Sequence, residues 1–358
     1  METTLIAMMT LRALVFALGL ATIVWTLVSA VKTFILPRGV SVWLTRIVFR
    51  GIGAFFRLRA RRAGSYEERD RIMVLFAPMA LILMPIAVLS MVLLGYLLLY
   101  WALDTRPFYE AFKLSGSSLF TLGYASQDSL PFKLLEFSEA MLGLLLVALL
   151  IAYLPAIYTA FARRETAVAL LEARAGAPPS AFIMITRSHR TRELGELREF
   201  WMGWQTWFAE LEESHTSLAI LAFFRSPQPG RSWVTAAGTV LDSAALMLAA
   251  VDVPFEPRAA FCIRTGYLAL RHIARFFDIP HNPDPAPDDP ISVSRVEFDQ
   301  GCDRLAAEGV PMKRDRDQAW RDFAGWRVNY DTVLLALAAL TMAPFAPWSS
   351  DRSRVLER

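Results

Sequence analysis

Three long runs of apolar residues divide the first half of the chain. Ala13–Val31 is 19 residues without a charge, Ile72–Leu103 is 32 and Ala140–Ala162 is 23. A helix needs roughly 20 apolar residues to cross a hydrocarbon core of about 30 Å. The runs therefore predict three transmembrane helices, and they exclude a purely soluble chain as well as an intrinsically disordered one.

The first and the last apolar segments each allow a second interpretation. Val28-Ser29-Ala30 ends in a small residue, as a signal-peptide cleavage site does. The positive charge follows this apolar run instead of preceding it, however, which favours a retained helix. Thr332–Ser349 is also uncharged. Because a crossing there would place Arg352 and Arg354 outside, the charge pattern favours a helix packed in a cytoplasmic domain.

Charged residues are unevenly distributed among the segments that connect the apolar runs. Pro37–Arg71 carries nine basic and three acidic residues, whereas Asp104–Glu139 carries three basic and five acidic residues. Short segments rich in Lys and Arg stay on the cytoplasmic side of a membrane. We therefore expect a multi-pass protein of the cell membrane, with the N-terminus outside and the chain after Arg163 inside.

The basic segment interleaves aromatic and aliphatic residues with arginines over Ser41–Arg62. This pattern favours an amphipathic helix lying on the inner leaflet, with the bilayer and its anionic lipids as partners. The alternative, a solvated basic linker, agrees with the charges but leaves the aromatic residues unexplained.

Beyond Arg164 the composition changes to that of an all-α soluble domain. Apolar residues three and four apart predict helices over three segments, Arg192–Phe224, Ser232–Val251 and Pro257–Phe277. Ile279–Pro290 holds five prolines, which predicts a loop. Ser294 and Glu297 form a capping-box pattern that opens the next helix. One or two further helices are predicted over Asp315–Ala343.

Motifs of catalysis and cofactor binding are missing from the sequence. There is no glycine-rich phosphate loop and no GxGxxG, and the four histidines lack metal-ligand spacing. Ser214, His215 and Asp242 have the residue types of a catalytic triad but no nucleophile-elbow sequence. Three tryptophans at helical spacing predict a packing face: Trp201, Trp204 and Trp207. We therefore expect no enzymatic activity, no cofactor and no nucleic-acid partner.

The segment between the second and third apolar runs is too apolar for a plain connector. Pro107–Phe120 begins with proline and continues for about three turns of small and aromatic residues, which predicts a short helix that enters the membrane and stops. Thr121-Leu122-Gly123-Tyr124-Ala125-Ser126 follows. Irregular backbone at membrane depth is stable only where protein buries it or where it lines a water-filled path. The sequence therefore predicts a re-entrant loop whose carbonyl groups, with the Thr121 hydroxyl, replace the hydration shell of an ion.

These residues resemble the pore domain of potassium channels, which has an outer helix, a pore helix, a Thr-Val-Gly-Tyr-Gly filter and an inner helix. The resemblance covers Ile72–Arg164 and includes Phe137–Leu146, which is similar to the start of a family inner helix. It implies a homotetramer, because a filter of carbonyl rings takes four loops. It also implies a K⁺ path along Thr121, Leu122, Gly123, Tyr124 and Ala125, a pore mouth at Ser126 and Asp128, and inner-helix bends at Gly143 and Pro155.

Four positions depart from the family pattern. In the filter-like segment, Leu122 replaces the usual Val or Ile, and Ala125 replaces the second Gly. Ser126 replaces the usual Asp, and Phe120 stands where many members have a second Thr. Ala125 leaves two alternatives open: a positive φ that costs roughly 1–2 kcal/mol, or a negative φ with fewer ion sites. The carboxylate lost at the mouth has three candidate substitutes, which are Asp128, Glu136 and Glu139.

The expected fold is an all-α membrane protein with three transmembrane helices and a re-entrant pore loop, plus an all-α cytoplasmic domain. The predicted parts are an N-terminal transmembrane helix (1–36), a basic interfacial segment (37–71), a potassium-channel-like pore domain (72–164) and a helical cytoplasmic domain (165–358). The expected function is a tetrameric potassium-selective channel regulated by the cytoplasmic domain. The alternatives are a weakly selective cation channel and a non-conducting membrane scaffold or sensor with a degenerate pore fold.

Overall fold

The computed structural model describes residues 2–34, 43–60, 66–104 and 107–352, and these residues form an all-helical structure. The α-helices in chain order are α1 (Glu2–Phe34), α2 (Trp43–Ala60), α3 (Tyr66–Met73), α4 (Phe76–Leu103), α5 (Phe108–Leu119), α6 (Leu130–Ala175), α7 (Ala181–Arg190), α8 (Arg198–Ser217), α9 (Trp233–Ala249), α10 (Pro257–Phe276), α11 (Arg295–Ala307), α12 (Arg316–Arg327) and α13 (Asp331–Thr341). A 3₁₀-helix, Ala219–Phe223, follows α8. The predicted boundary between residues 36 and 37 and the arginines at 61 and 62 lie outside the described residues.

Three helical segments are long and apolar enough to cross a membrane: Ile6–Thr33, Glu68–Leu103 and Leu130–Ala175. The three predicted apolar helices are therefore confirmed. The third is longer than the predicted Ala140–Ala162, because α6 continues through the charged residues that follow the apolar run and holds Pro155 within the helix. α2 is helical over most of the predicted amphipathic segment, while its place on a membrane surface stays a prediction.

The chain divides into two compact units. Unit 1 comprises Met1–Arg59 and Leu75–Tyr158, and unit 2 comprises Ala60–Val74 and Thr159–Arg358. α6 contributes its first part to unit 1 and its last part to unit 2. α3 belongs to unit 2, although the sequence grouped its residues with the basic segment 37–71.

Unit 1 is built on the packing of α1, α4, α5 and the first part of α6. α1 and α4 approach closely where Gly19 faces Gly95, since a Cβ atom at Gly19 would lie 2.7 Å from the Gly95 carbonyl oxygen. α5 begins directly after Pro107, which has a φ of −55° and suits a helix start. Three buried side chains of α5, Ala111, Leu114 and Leu119, belong to the same hydrophobic core as α4.

Unit 2 is built around α9, whose side chains are buried along nearly its whole length. The capping box at Ser294 and Glu297 is confirmed. The predicted start of a helix at Arg192 is wrong, because α7 ends there: Arg192 adopts a φ of +63° and the N–H of Glu193 bonds the Ser188 carbonyl. A helix terminates in this way when its last carbonyls are satisfied by a left-handed residue.

The last apolar segment packs inside unit 2. α13 is 11 residues long, and Val333, Leu334 and Leu337 lie in the core. The helix ends at Thr341, and the next residue, Met342, adopts the left-handed conformation. An 11-residue helix is too short to cross a membrane, so the structure agrees with a packed helix.

Polar contacts within unit 2 converge on residues 221–225. Arg164 of α6 is buried and donates to the carbonyl oxygens of Leu221 at 2.6 Å and Phe224 at 2.8 Å. The next residue, Arg225, forms an ion pair at 3.4 Å with Asp70 of α3. The same short stretch of chain therefore holds both α3 and the last part of α6.

Candidate functional site

The C-terminal end of α5 is closed by a left-handed residue. Thr121 has a φ of +52°, its N–H donates to the Ser118 carbonyl at 3.0 Å, and the N–H of Leu122 donates to the Ser117 carbonyl at 2.8 Å. This pair of bonds is the Schellman arrangement, in which glycine is usual at the left-handed position. A β-branched threonine in that position is strained, and such strain is concentrated at functional sites.

The backbone donors and acceptors of the α5–α6 loop (residues 120–129) differ in their hydrogen bonding. The N–H groups of Thr121, Leu122, Gly123 and Ala125 all donate to Ser117 or Ser118. By contrast, no hydrogen bond from the described part of the chain reaches the carbonyl oxygens of residues 121–124. The loop therefore uses its donors internally and leaves a run of carbonyl oxygens available as ligands for a cation.

The conformation of the loop distinguishes between the two alternatives for Ala125. Positive φ occurs at Thr121 (+52°) and Gly123 (+71°), and Ala125 is not among the residues with positive φ. The methyl group of Ala125 therefore causes no backbone strain, in agreement with the second alternative. The side chains of Leu122 and Tyr124 are each 63% exposed.

Two side chains hold the loop from behind. Ser117 of α5 accepts from the N–H of Ala125 at 3.0 Å and donates to the Ala125 carbonyl at 3.1 Å. Glu136 of α6 accepts from the Ser126 hydroxyl at 2.9 Å and from the N–H of Gln127 at 2.8 Å. Sequence reasoning did not single out Ser117, because a serine inside a helix carries no signal until the loop folds back over it.

The predicted mouth residues are in different environments. Ser126 and Asp128 are exposed. Glu136 is buried and accepts hydrogen bonds from the loop, and Glu139 has no exposed surface. Of the three candidate substitutes for the lost carboxylate, Glu139 does not lie at an exposed surface, because its position on α6 turns the side chain toward α4 and α5.

The two predicted bends of the inner helix also have distinct surroundings. Gly143 is buried against the end of α5, and a Cβ atom there would collide with the carbonyl oxygen of Leu119. Pro155 is exposed and lies inside the continuous helix α6. The sequence signal at Gly143 thus marks a close helix contact, and bending at either residue stays a prediction.

Residues of unit 2 with catalytic side-chain types serve the core. The Ser214 hydroxyl contacts His215 Nδ1 at 3.2 Å, but Asp242 pairs with Arg327 and accepts from the Tyr330 hydroxyl at 2.8 Å. Burial and the nearby Arg164 hold the pKa of His215 well below its usual value.

The remaining side chains of unit 2 that suggest chemistry are also buried. Trp201, Trp204 and Trp207 are buried in one aromatic cluster, and both cysteines are free and buried. No group of acidic, histidine or cysteine side chains suited to a metal ion occurs among the residues that the structure describes.

Comparison with known proteins gives no family assignment, since no family model, no curated protein and no solved structure matches this chain.

Proposed function

We propose that four copies of this chain form a cation channel, with K⁺ passing along the backbone of Thr121–Ala125. The run of carbonyl oxygens at residues 121–124 carries the proposal: no donor from the described part of the chain reaches them, whereas the N–H groups of Thr121–Gly123 and of Ala125 are hydrogen-bonded. Carbonyl oxygens arranged in rings replace the water around a potassium ion. An unpaired carbonyl at membrane depth is tolerated only where protein or a water-filled path meets it.

The attachment of the loop supports the same function. A conducting filter must keep its oxygens in place while ions move past them, and here Ser117 and Glu136 hold three consecutive residues, Ala125, Ser126 and Gln127. The alternating positive φ of Thr121 and Gly123 gives the backbone a change of hand at every second residue.

Unit 2 is the proposed regulatory domain, because α6 runs from the loop directly into it.

Potassium flux into proteoliposomes tests the proposal, with a matched pair of glycine substitutions. A Cβ atom meets nothing within 4 Å at either Gly123 or Gly116, but only Gly123 has a positive φ. Gly123→Ala is expected to abolish or strongly reduce flux, whereas Gly116→Ala is expected to conduct like the wild type. Flux without preference for K⁺ would indicate the weakly selective channel, and its absence in the wild type would indicate the non-conducting scaffold.

The proposed sidedness places the N-terminus outside and unit 2 in the cytoplasm, on the strength of the basic segment Pro37–Arg71. Both natural cysteines are buried and free, so they give little background to a thiol reagent. A cysteine at position 2 is expected to react with an impermeant reagent added to intact cells, and a cysteine at position 352 is expected to be protected. The reverse labelling pattern would contradict this topology.

A further inference from the structure

A buried carboxyl group on α6 connects α4 with α5, the helix that precedes the loop. The Tyr100 hydroxyl of α4 donates to Glu139 Oε2 at 2.9 Å, and Ser115 Oγ of α5 lies 2.5 Å from Glu139 Oε1. Glu139 belongs to α6 and is completely buried. No lysine or arginine of the described chain forms an ion pair with it. One side chain thus joins α4, α5 and α6 through hydroxyl groups alone.

The hydrogen-bonding capacity of Ser115 indicates how the Glu139 carboxyl group bonds to it. Ser115 has one hydroxyl hydrogen but two acceptors within reach, Glu139 Oε1 and the Leu93 carbonyl oxygen at 3.1 Å. If the carboxyl group donates a proton to Ser115 Oγ, the hydroxyl hydrogen is free to bond Leu93, and every polar atom is satisfied. An amide at position 139 can form the same pattern, since its NH₂ donates to Ser115 and its oxygen accepts from Tyr100.

The position of α5 determines where the loop lies. Ser115 precedes Ser117 by two residues on the same helix, and Ser117 holds Ala125. The left-handed turn at Thr121 ties the loop rigidly to the end of α5. A change in the contact between α5 and its two neighbours is therefore transmitted to the loop backbone.

We infer that Glu139 is a positioning residue for ion selectivity, which acts through its hydrogen bonds to Ser115 and Tyr100 and not through its charge. This inference rests on the proposed channel function. It assigns to Glu139 a role behind the loop, at a distance from the ion path, in place of a role at the mouth.

The same pair of helices contains a matched control. Tyr96 of α4 and Ser138 of α6 share a hydrogen bond of 2.9 Å, one turn before Tyr100 and next to Glu139. This bond joins α4 to α6 without involving α5. Removing it with Tyr96→Phe takes away one hydroxyl from the same interface but leaves the attachment of α5 intact.

The test is the reversal potential under K⁺/Na⁺ bi-ionic conditions, measured on tetramers isolated by size exclusion. Ser115→Ala and Tyr100→Phe are each expected to lower the K⁺/Na⁺ permeability ratio, because each removes one of the two hydrogen bonds by which Glu139 joins α5 to α4 and α6. Glu139→Leu is expected to lower it at least as far. Glu139→Gln and Tyr96→Phe are expected to keep the wild-type ratio.

Three results would overturn the inference in different ways. Unchanged ratios in both Ser115→Ala and Tyr100→Phe would remove the positioning role. A ratio in Glu139→Gln as low as in Glu139→Leu would show that the charge matters instead. A wild-type protein without current would contradict the channel function itself, so the failure of the inference and that of the function are distinguishable.

Discussion

Ser117 and Ala125 exchange two hydrogen bonds across the turn that ends α5, at 3.0 Å from the Ala125 N–H to Ser117 Oγ and at 3.1 Å from Oγ to the Ala125 carbonyl. A single hydroxyl group therefore ties the loop at Ala125 to the helix before it. Together with the hydrogen bonds of Glu136 to Ser126 and Gln127, this exchange restrains the loop backbone.

Ser117→Ala is expected to loosen the loop while leaving α5 helical. The substitution removes two hydrogen bonds, each with a net value of about 1 kcal/mol, so amide exchange in residues 121–127 is expected to be faster by tenfold or more, to order of magnitude. Hydrogen–deuterium exchange with mass spectrometry measures this. The control is Ser129→Ala, which changes an exposed serine of the same loop; equal exchange in the two variants would show that Ser117 does not hold the loop.

Thr121→Gly separates backbone strain from ion coordination. Glycine adopts the φ of +52° found at Thr121 at no cost, so the variant is expected to be more stable to thermal unfolding by about 1 kcal/mol per subunit. It also loses the hydroxyl proposed to coordinate the ion, so its potassium selectivity is expected to fall. Thr121→Ser keeps the hydroxyl and is expected to keep selectivity; a selective Thr121→Gly channel would remove Thr121 from the ion site.

Gly143→Ala tests whether this glycine serves packing or bending. The added methyl group would collide with the Leu119 carbonyl oxygen, and overpacking of this kind costs about 1–3 kcal/mol. A lower yield of folded protein and a lower melting temperature are therefore expected, whereas Gly116→Ala on the open face of α5 has neither effect. If Gly143→Ala instead folds like the wild type and alters only the open probability, the glycine is a hinge.

The stability of unit 2 is expected to depend on pH through His215. Burial, with a smaller effect of Arg164, lowers the pKa of His215 well below 6.5 in the folded protein. The unfolded chain therefore binds a proton below pH 6.5 that the folded chain does not, and stability is lost as the pH falls, by about 1.4 kcal/mol per pH unit. Tryptophan fluorescence during thermal unfolding between pH 7.5 and about pH 5.5 follows this loss.

The matched variants are His215→Gln and His281→Gln, the latter in the proline-rich loop after α10. The first is expected to flatten the pH dependence, and the second is expected to leave it unchanged. A wild-type slope in His215→Gln would assign the dependence to another group.

The sequence predicts the elements of unit 1 well because each depends on neighbouring residues. An apolar run long enough to span a membrane becomes a helix, and Pro107 starts α5. The predicted helix over Pro107–Phe120 also agrees with α5 (Phe108–Leu119). The roles of Ser117, Glu136 and Glu139 were not predictable in this way, because each depends on which distant residue the fold brings opposite to it.

The same distinction explains the differences in unit 2. The capping box is a local pattern that the sequence predicts, whereas the end of α7 depends on the left-handed turn at Arg192, where the sequence has no glycine to mark it. α3 belongs to unit 2 and forms an ion pair with it through Asp70 and Arg225, which are far apart in the chain, so its membership could not be read from the local sequence.

The reversal potential of the wild-type protein in a planar bilayer, with K⁺ on one side and Na⁺ on the other, tests the central claim most directly. If four loops of residues 121–125 form a carbonyl-lined path, unitary currents are expected to reverse far from 0 mV, on the side that marks K⁺ as the permeant ion. Currents that reverse near 0 mV would contradict the potassium selectivity, and the absence of unitary current from purified tetramers would contradict the channel itself.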